Sequence, residues 1–295
     1  MTIEPDQLLQ LLWTVARSRG YTCQRTGPDT VEVDGRRSFT LVPSHLRRLV
    51  ATYPPHQWPT VVADHLDTIA VTIEADRDDP LDYTDFAVMR HLVRTRLYGT
   101  VPIGVNGVRR IIAPGLIQRV VIDRIHSATH VTYDMLAWWP IGEWELFDLA
   151  ESNVRTDGGV HIEHDSFDGV PMAEELAPIA LLTGPEYLTA HTRWLGDHPV
   201  TGPRGAVLTI PSKESIYAYP VTGIEVVKAI TVLARLAALH TEDPWPINQS
   251  VYWWRNGHLG LAATTRRTDT TVVITPADAF YRHTAHLDHE PDDCR

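Results

Sequence analysis

Lysine is nearly missing from this 295-residue chain, occurring only at Lys213 and Lys228, and cysteine occurs only at Cys23 and Cys294. Two cysteines, one in a predicted strand and one a residue from the end, make no disulfide framework and point to a reducing compartment. No apolar run reaches the ~18 residues that a membrane-crossing helix needs. The opening MTIEPDQLLQLLWTVARSRG has neither a basic leader segment nor a small-residue cleavage site, and reads as an amphipathic core helix. A cytoplasmic protein is the expectation. Positive charge is also short: 26 Lys and Arg stand against 37 Asp and Glu, a net charge of −11. A distributed acidic surface repels nucleic-acid phosphates and anionic lipid, so neither nucleic acid nor a membrane is an expected partner. The basic doublets Arg36-Arg37, Arg47-Arg48 and Arg109-Arg110 read as turn flanks and helix coating. The Arg-for-Lys bias, with abundant Ala, Val, Thr and Asp, is that of a GC-rich genome and carries no functional content.

What is present is a folded chain of 43% hydrophobic and 21% charged residues, long enough for one large domain or two ordinary ones. Pro5 and the spacing of Leu8, Leu9, Leu12, Val15 and Ala16 predict a first helix ending near Gly20. Turn signals at Gly27-Pro28-Asp29 and Asp34-Gly35 bracket three short antiparallel strands. Ser44 is the predicted cap of a helix that Pro54-Pro55 ends, and Pro59 starts another with Val62, Leu66, Ile69 and Ile73 on one face. The carboxylate-rich stretch 75–85 reads as a solvated loop closing an N-terminal module.

Beyond it the pattern turns strand-rich. A helix around Phe86 to Val93 leads to a hairpin signal at Asn106-Gly107. The stretch Ile111 to Val154 reads as a Pro-Gly turn, an apolar strand, a second strand and a Trp-rich acidic helix. Alternation across 158–172 predicts an edge or half-exposed strand, and PEYLTAHTRWL a helix. AVLTIPSKESIYAYPV reads as two strands about a Pro-Ser-Lys-Glu turn. Ile224 to Leu239 is apolar on most of its circumference and is the predicted central helix of the second module. Three strands joined at Asn256-Gly257 and at 267–269 close the pattern. The expected fold class is α+β: an N-terminal helix–sheet–helix module over 1–80, a larger mixed module over 86–280 with an antiparallel sheet on a central helix, and an acidic, His-bearing flexible tail over 281–295.

Three segments, APGLIQRVVID at Ala113 to Asp123, ELFDLAESNV at Glu145 to Val154 and AVLTIPSKESIYAYPV at Ala206 to Val221, resemble the YtpQ-like family of bacterial proteins. Lys213-Glu214 stands where the family pattern would carry Arg-Asp. The resemblance implies a fold and an order of elements, and it transfers no catalytic residue.

Candidate chemistry is thin. Ser212, Lys213 and Glu214 put a hydroxyl beside opposite charges, but neighbours on a strand face opposite ways, so Lys213 is badly placed to take the serine proton. A polar turn contacting a partner or ligand fits better. His161, Glu163 and Asp165 would share one face of a strand and with a fourth ligand could hold a metal, whereas edge strands also carry charge to deter pairing. His283, His286 and His289 with Cys294 fall in the tail, where a mobile terminus makes a poor catalytic site. Of the nine tryptophans, Trp253 and Trp254 must face opposite ways, one into the core and the other exposed or covered by another element. An exposed aromatic beside Arg255 would anchor a partner. Core packing is expected for most of the others. The leading expectation is a non-enzymatic binding or adaptor protein, possibly of an acidic inhibitor or immunity type, with another protein as partner and no cofactor. A metal-assisted hydrolase using His161, Glu163 and Asp165 and a small-ligand sensor with a pocket between the modules are the competing readings.

Overall fold

Pro5 supplies a preset φ and no N–H where a helix needs none, and the chain is helical from there to Ser18 (α1), burying Leu8, Leu9, Leu12, Val15 and Ala16. The computed structural model describes residues 3–36, 38–99, 106–124, 128–167, 169–268 and 271–284. The fold is α+β. It divides into two compact units, one of Met1–Asp82 with Arg124–Ser127 and Glu242–Trp245, the other of the remainder.

In the first unit, strands Thr22–Gly27 (β1), Thr30–Asp34 (β2) and Phe39–Leu41 (β3) form an antiparallel sheet in that order. Val31 and Val33 alternate inward from β2 and are fully buried. Helices Pro43–Ala51 (α2) and Trp58–Asp78 (α3) complete a core built from Leu12, Leu46, Val50, Val62 and Leu66. Two sequence expectations change here. Ser44 lies inside α2 and is no cap; the Asp29 carboxylate, from the β1–β2 turn, accepts its backbone N–H at 2.8 Å and its hydroxyl. The polar stretch 75–85 is helical as far as Asp78, where Ala75 and Arg77, both good helix formers, prolong the last turns of α3. The last of its carboxylates, Asp85, caps the next helix through the amides of Ala87 and Val88.

The second unit opens with helix Phe86–Leu92 (α4) and strand Val93–Gly99 (β4), followed by Arg109–Ala113 (β5), Leu116–Asp123 (β6) and Ala128–His130 (β7). The Pro114-Gly115 turn joins β5 to β6 as a hairpin. Asn106-Gly107 does not join β4 to β5: both pair with β6, which lies between them, and Gly107 bridges to Thr132. Strand β7 pairs with β6 on the same edge as β5. Helices Tyr133–Trp138 (α5) and Glu143–Asp157 (α6) follow. Helix α6 buries Leu146, Phe147, Ala150 and Val154, and its Glu151 carboxylate accepts from Gln118, Arg110 and Arg193.

The larger sheet contains His161–Asp165 (β8), Ile179–Thr183 (β9), Ala206–Ser212 (β10), Ser215–Pro220 (β11), Val251–Arg255 (β12), His258–Arg267 (β13) and Val272–Pro276 (β14). All its pairings are antiparallel, in the order β14-β13-β12-β10-β11-β9-β8. Helix Val226–Leu239 (α7) covers one face through Val226, Leu233 and Leu236 against Val207, Tyr217 and Val251. The other face packs Leu208, Ile210, Tyr252 and Trp254 against Leu97, Leu116 and Leu188. The PEYLTAHTRWL segment lies in this layer as a kinked 3-10 helix, Leu188–Asp197, buried on nearly every residue. With both faces covered, β10 is buried at every residue, without the exposed–buried alternation of a one-sided sheet. Helix Asp278–Thr284 (α8) ends the described chain.

Candidate functional site

Ser212, Lys213 and Glu214 form the β10–β11 turn as the sequence suggests. Ser212 is 4% exposed and lies 3.1 Å from the Ser215 hydroxyl, while its oxygen accepts the Glu214 amide at 3.3 Å. The Lys213 ammonium leans away from that serine onto Glu186, 3.3 Å from each oxygen, and Glu186 also takes Arg96 of β4. Among the described residues the bonds of the Ser212 hydroxyl are to Ser215 and the Glu214 amide, and neither is a general base.

Trp254 packs into the layer beneath the sheet. Trp253 is covered on the other side: Phe280 of α8 meets its ring edge-on at 5.8 Å, and its indole N–H donates to the Arg204 carbonyl. Arg255 is exposed and lies over the Trp253 ring at 6.0 Å. A cavity of about 370 Å³ beside the Asn256-Gly257 turn is lined by Trp253, Arg255 and His258.

His161, Glu163 and Asp165 share a face of β8, at the exposed edge of the large sheet. Among the described residues no group of three or more His, Cys, Asp or Glu side chains is placed to hold a metal ion, so the hydrolase reading lacks its ligand set. Asp168, His286, His289 and Cys294 lie outside the described residues, as does the side chain of His283.

The exposed aromatics are elsewhere. Trp139 is 5% exposed, tilts against Phe86 at 5.6 Å and donates its indole N–H to the Tyr83 carbonyl at 2.8 Å. Anchoring Trp139 turns its neighbour outward: Trp138 is 57% exposed. The chain then bends through Pro140 and Gly142, whose amide donates to Glu145 at 2.7 Å and starts α6. Trp144, in the first turn of α6, is 76% exposed, and Tyr133 at the start of α5 is exposed too. Acids stand on the same two helices: Asp134 and Glu145 in their first turns, and exposed Asp148 one turn on. Two indoles left in water against the hydrophobic effect, with carboxylates on the elements that carry them, can stack on a cation while neutralising it.

Sequence reasoning expected core packing for most of these tryptophans without telling them apart, and the structure leaves Trp138 and Trp144 exposed. A WW pair and an EWE triplet look the same whether packed or displayed. The signal that does separate them is the Pro140-Ile141-Gly142 corner, which allows only one of the consecutive indoles to turn inward. Comparison of the chain with protein-family models, with curated proteins and with solved structures finds no match.

Proposed function

We propose that this chain acts by binding another protein, and that the surface presenting Trp138 and Trp144 is where it does so. The partner's complementary feature is a segment rich in Arg or Lys. The carrying observation is the exposure of both indoles, 57% and 76%, on helices that also bear Asp134, Glu145 and Asp148. Each cation–π contact contributes roughly 0.5–2 kcal/mol, and carboxylates around it speed the encounter with a basic partner. A net charge of −11 supports the same polarity. An acidic inhibitor or immunity-type role is one version of this reading. Kinship with the YtpQ-like family is part of the proposal and adds no activity to it. Residence in the cytoplasm is proposed as well; among the described residues no helix is long and apolar enough to cross a membrane.

The test is a quantitative capture from the native host with tagged wild type and the Trp138→Ala/Trp144→Ala double variant. One protein with a basic segment should be retained near stoichiometrically by the wild type and at least ~10-fold less by the variant, as for the loss of two interface anchors. Equal retention by both would remove the assignment. Small-ligand sensing has one specific observation in its favour, within the second unit and not between modules as the sequence reading had it: a cavity of about 600 Å³ lined by Arg235, Arg267, Val170, Leu239 and Val272. A ligand there would raise the melting temperature of the wild type and not that of Arg235→Ala/Arg267→Ala.

A further inference from the structure

The register of the four-stranded sheet sets three arginines side by side. Arg96 of β4 lies directly opposite Arg119 of β6, and Arg119 directly opposite Arg109 of β5. Like charges facing across a ladder repel, and Glu186, which pairs with Arg96 at one end of the row, is not bonded to Arg119 at its centre. Alternation puts Tyr98 on the same face, and His130 of β7, opposite Val121, joins it from the β5 side. The groups touch: Arg119 Nη1 lies 3.0 Å from His130 Nε2, the Arg119 guanidinium 5.5 Å from the Tyr98 ring, and that ring 5.5 Å from the imidazole.

Arg119 is 8% exposed. Among the described residues no carboxylate pairs with it, and its Nε–H has no partner. Because a guanidinium only donates, His130 Nε2 must accept, which places the imidazole proton on Nδ1, a second buried donor without a partner. Arg96 Nε is the third. Burial, then Arg119 and Arg96, push the His130 pKa down to about 4, so the ring stays neutral in this role. Every orphan is an N–H, and what they lack in common is an acceptor. Three donors on separate strands call for one acceptor with oxygens in several directions, and a buried Arg119 without a carboxylate, beside an Arg96 whose Glu186 is shared with Lys213, calls for negative charge on that acceptor. Arg109 is half-buried and Ile111, beyond it on the same face, is 79% exposed, so the row runs from covered to open. A net charge of −11 works against an extended polyanion, which makes the occupant small.

We propose that the Arg96–Arg119–Arg109 row, with Tyr98 and His130, binds a compact tetrahedral dianion: free phosphate or the phosphoryl group of a small phosphate monoester. The site is independent of the Trp138–Trp144 surface.

The test titrates the full chain at constant ionic strength with inorganic phosphate, phenyl phosphate and acetate, reading melting temperature and the arginine Nε–H resonances. Phosphate should raise the melting temperature by about 3 °C or more once it is tenfold above Kd, and shift the Arg96 and Arg119 Nε–H signals. Tenfold tighter phenyl phosphate would make a monoester the ligand, and equal affinity would make it the free anion. Acetate binding as well as phosphate would overturn the tetrahedral dianion. Arg119→Met should weaken phosphate at least ~10-fold, yet in phosphate-free buffer melt no lower than the wild type, since a buried, uncompensated cation has been replaced by an apolar chain. A lower melting temperature for that variant would make Arg119 a structural residue and contradict the proposal. Arg109→Gln, at the open end, gives the same reading without touching the core. No shift at 10 mM phosphate, or unchanged affinity in both variants, would end it.

Discussion

Trp138 and Trp139 are consecutive residues with opposite fates, and one hydrogen bond to the Tyr83 carbonyl marks the difference. The buried imidazoles show the same dependence of a residue on its surroundings. His191 is 3% exposed, accepts the Trp194 indole N–H at Nδ1, and stands 3.0 Å from His198 Nε2. Burial first, then His198 and Arg155, push its pKa down to about 4, while Asp197 and Asp157 oppose the shift. Residue His130 is depressed to the same value. The unfolded chain protonates its histidines near 6.5, and the folded chain resists until about 4. Between those values the unfolded state binds more protons, so stability falls as pH drops from about 6.5 towards 4, and neither ring contributes a slope above 6.5. Urea midpoints at pH 7.5 and 5.0 check this: His191→Gln should lose about 2 kcal/mol less than the wild type over that interval. Equal losses would refute the assignment, because the carboxylates titrate alike in both.

Elements were legible wherever a local rule decides them. Pro5, the Asn256-Gly257 and Pro114-Gly115 turns, the charged edge strand β8 and the apolar α7 all stand where their residues place them. Asn256, at φ 50°, and Gly257, at φ 79°, supply the left-handed pair that a two-residue hairpin requires. What local rules missed are contacts remote in sequence. Asp29 takes the capping role expected of Ser44 from 15 residues away, and β6 lies between β4 and β5, so a turn signal between them joined nothing. The arginine row was invisible for the same reason, since Arg96, Arg109 and Arg119 become neighbours only once the register is set. Close approach between strands can be tested at Gly205. Its φ is +93°, and an added Cβ would lie 2.0 Å from the Trp254 carbonyl oxygen. Gly205→Ala should cost roughly 3 kcal/mol or more in urea unfolding. A cost under about 1 kcal/mol would mean that β10 and β12 do not meet there as described.

At the scale of the whole molecule, an acidic chain has gathered several of its cations onto one small sheet and turned two indoles outward on helices that also bear acids. Charge totals read from sequence gave the average field correctly and hid both concentrations, because a total has no geometry. The two surfaces differ in polarity, and the occupants proposed for them differ accordingly: a basic protein segment at one, a compact anion at the other. Both are proposed as recognition sites.

The most direct test of binding through the exposed indoles is the indole N–H spectrum of the full chain, whose nine tryptophans give nine probes, titrated with an Arg/Lys-rich peptide. The account predicts that Trp138 and Trp144 shift together and saturably, that Trp139 and Trp254 stay in place, and that raising salt from 50 to 300 mM weakens the response. Indole signals of Trp138 and Trp144 that stay fixed through saturation while others move would contradict it.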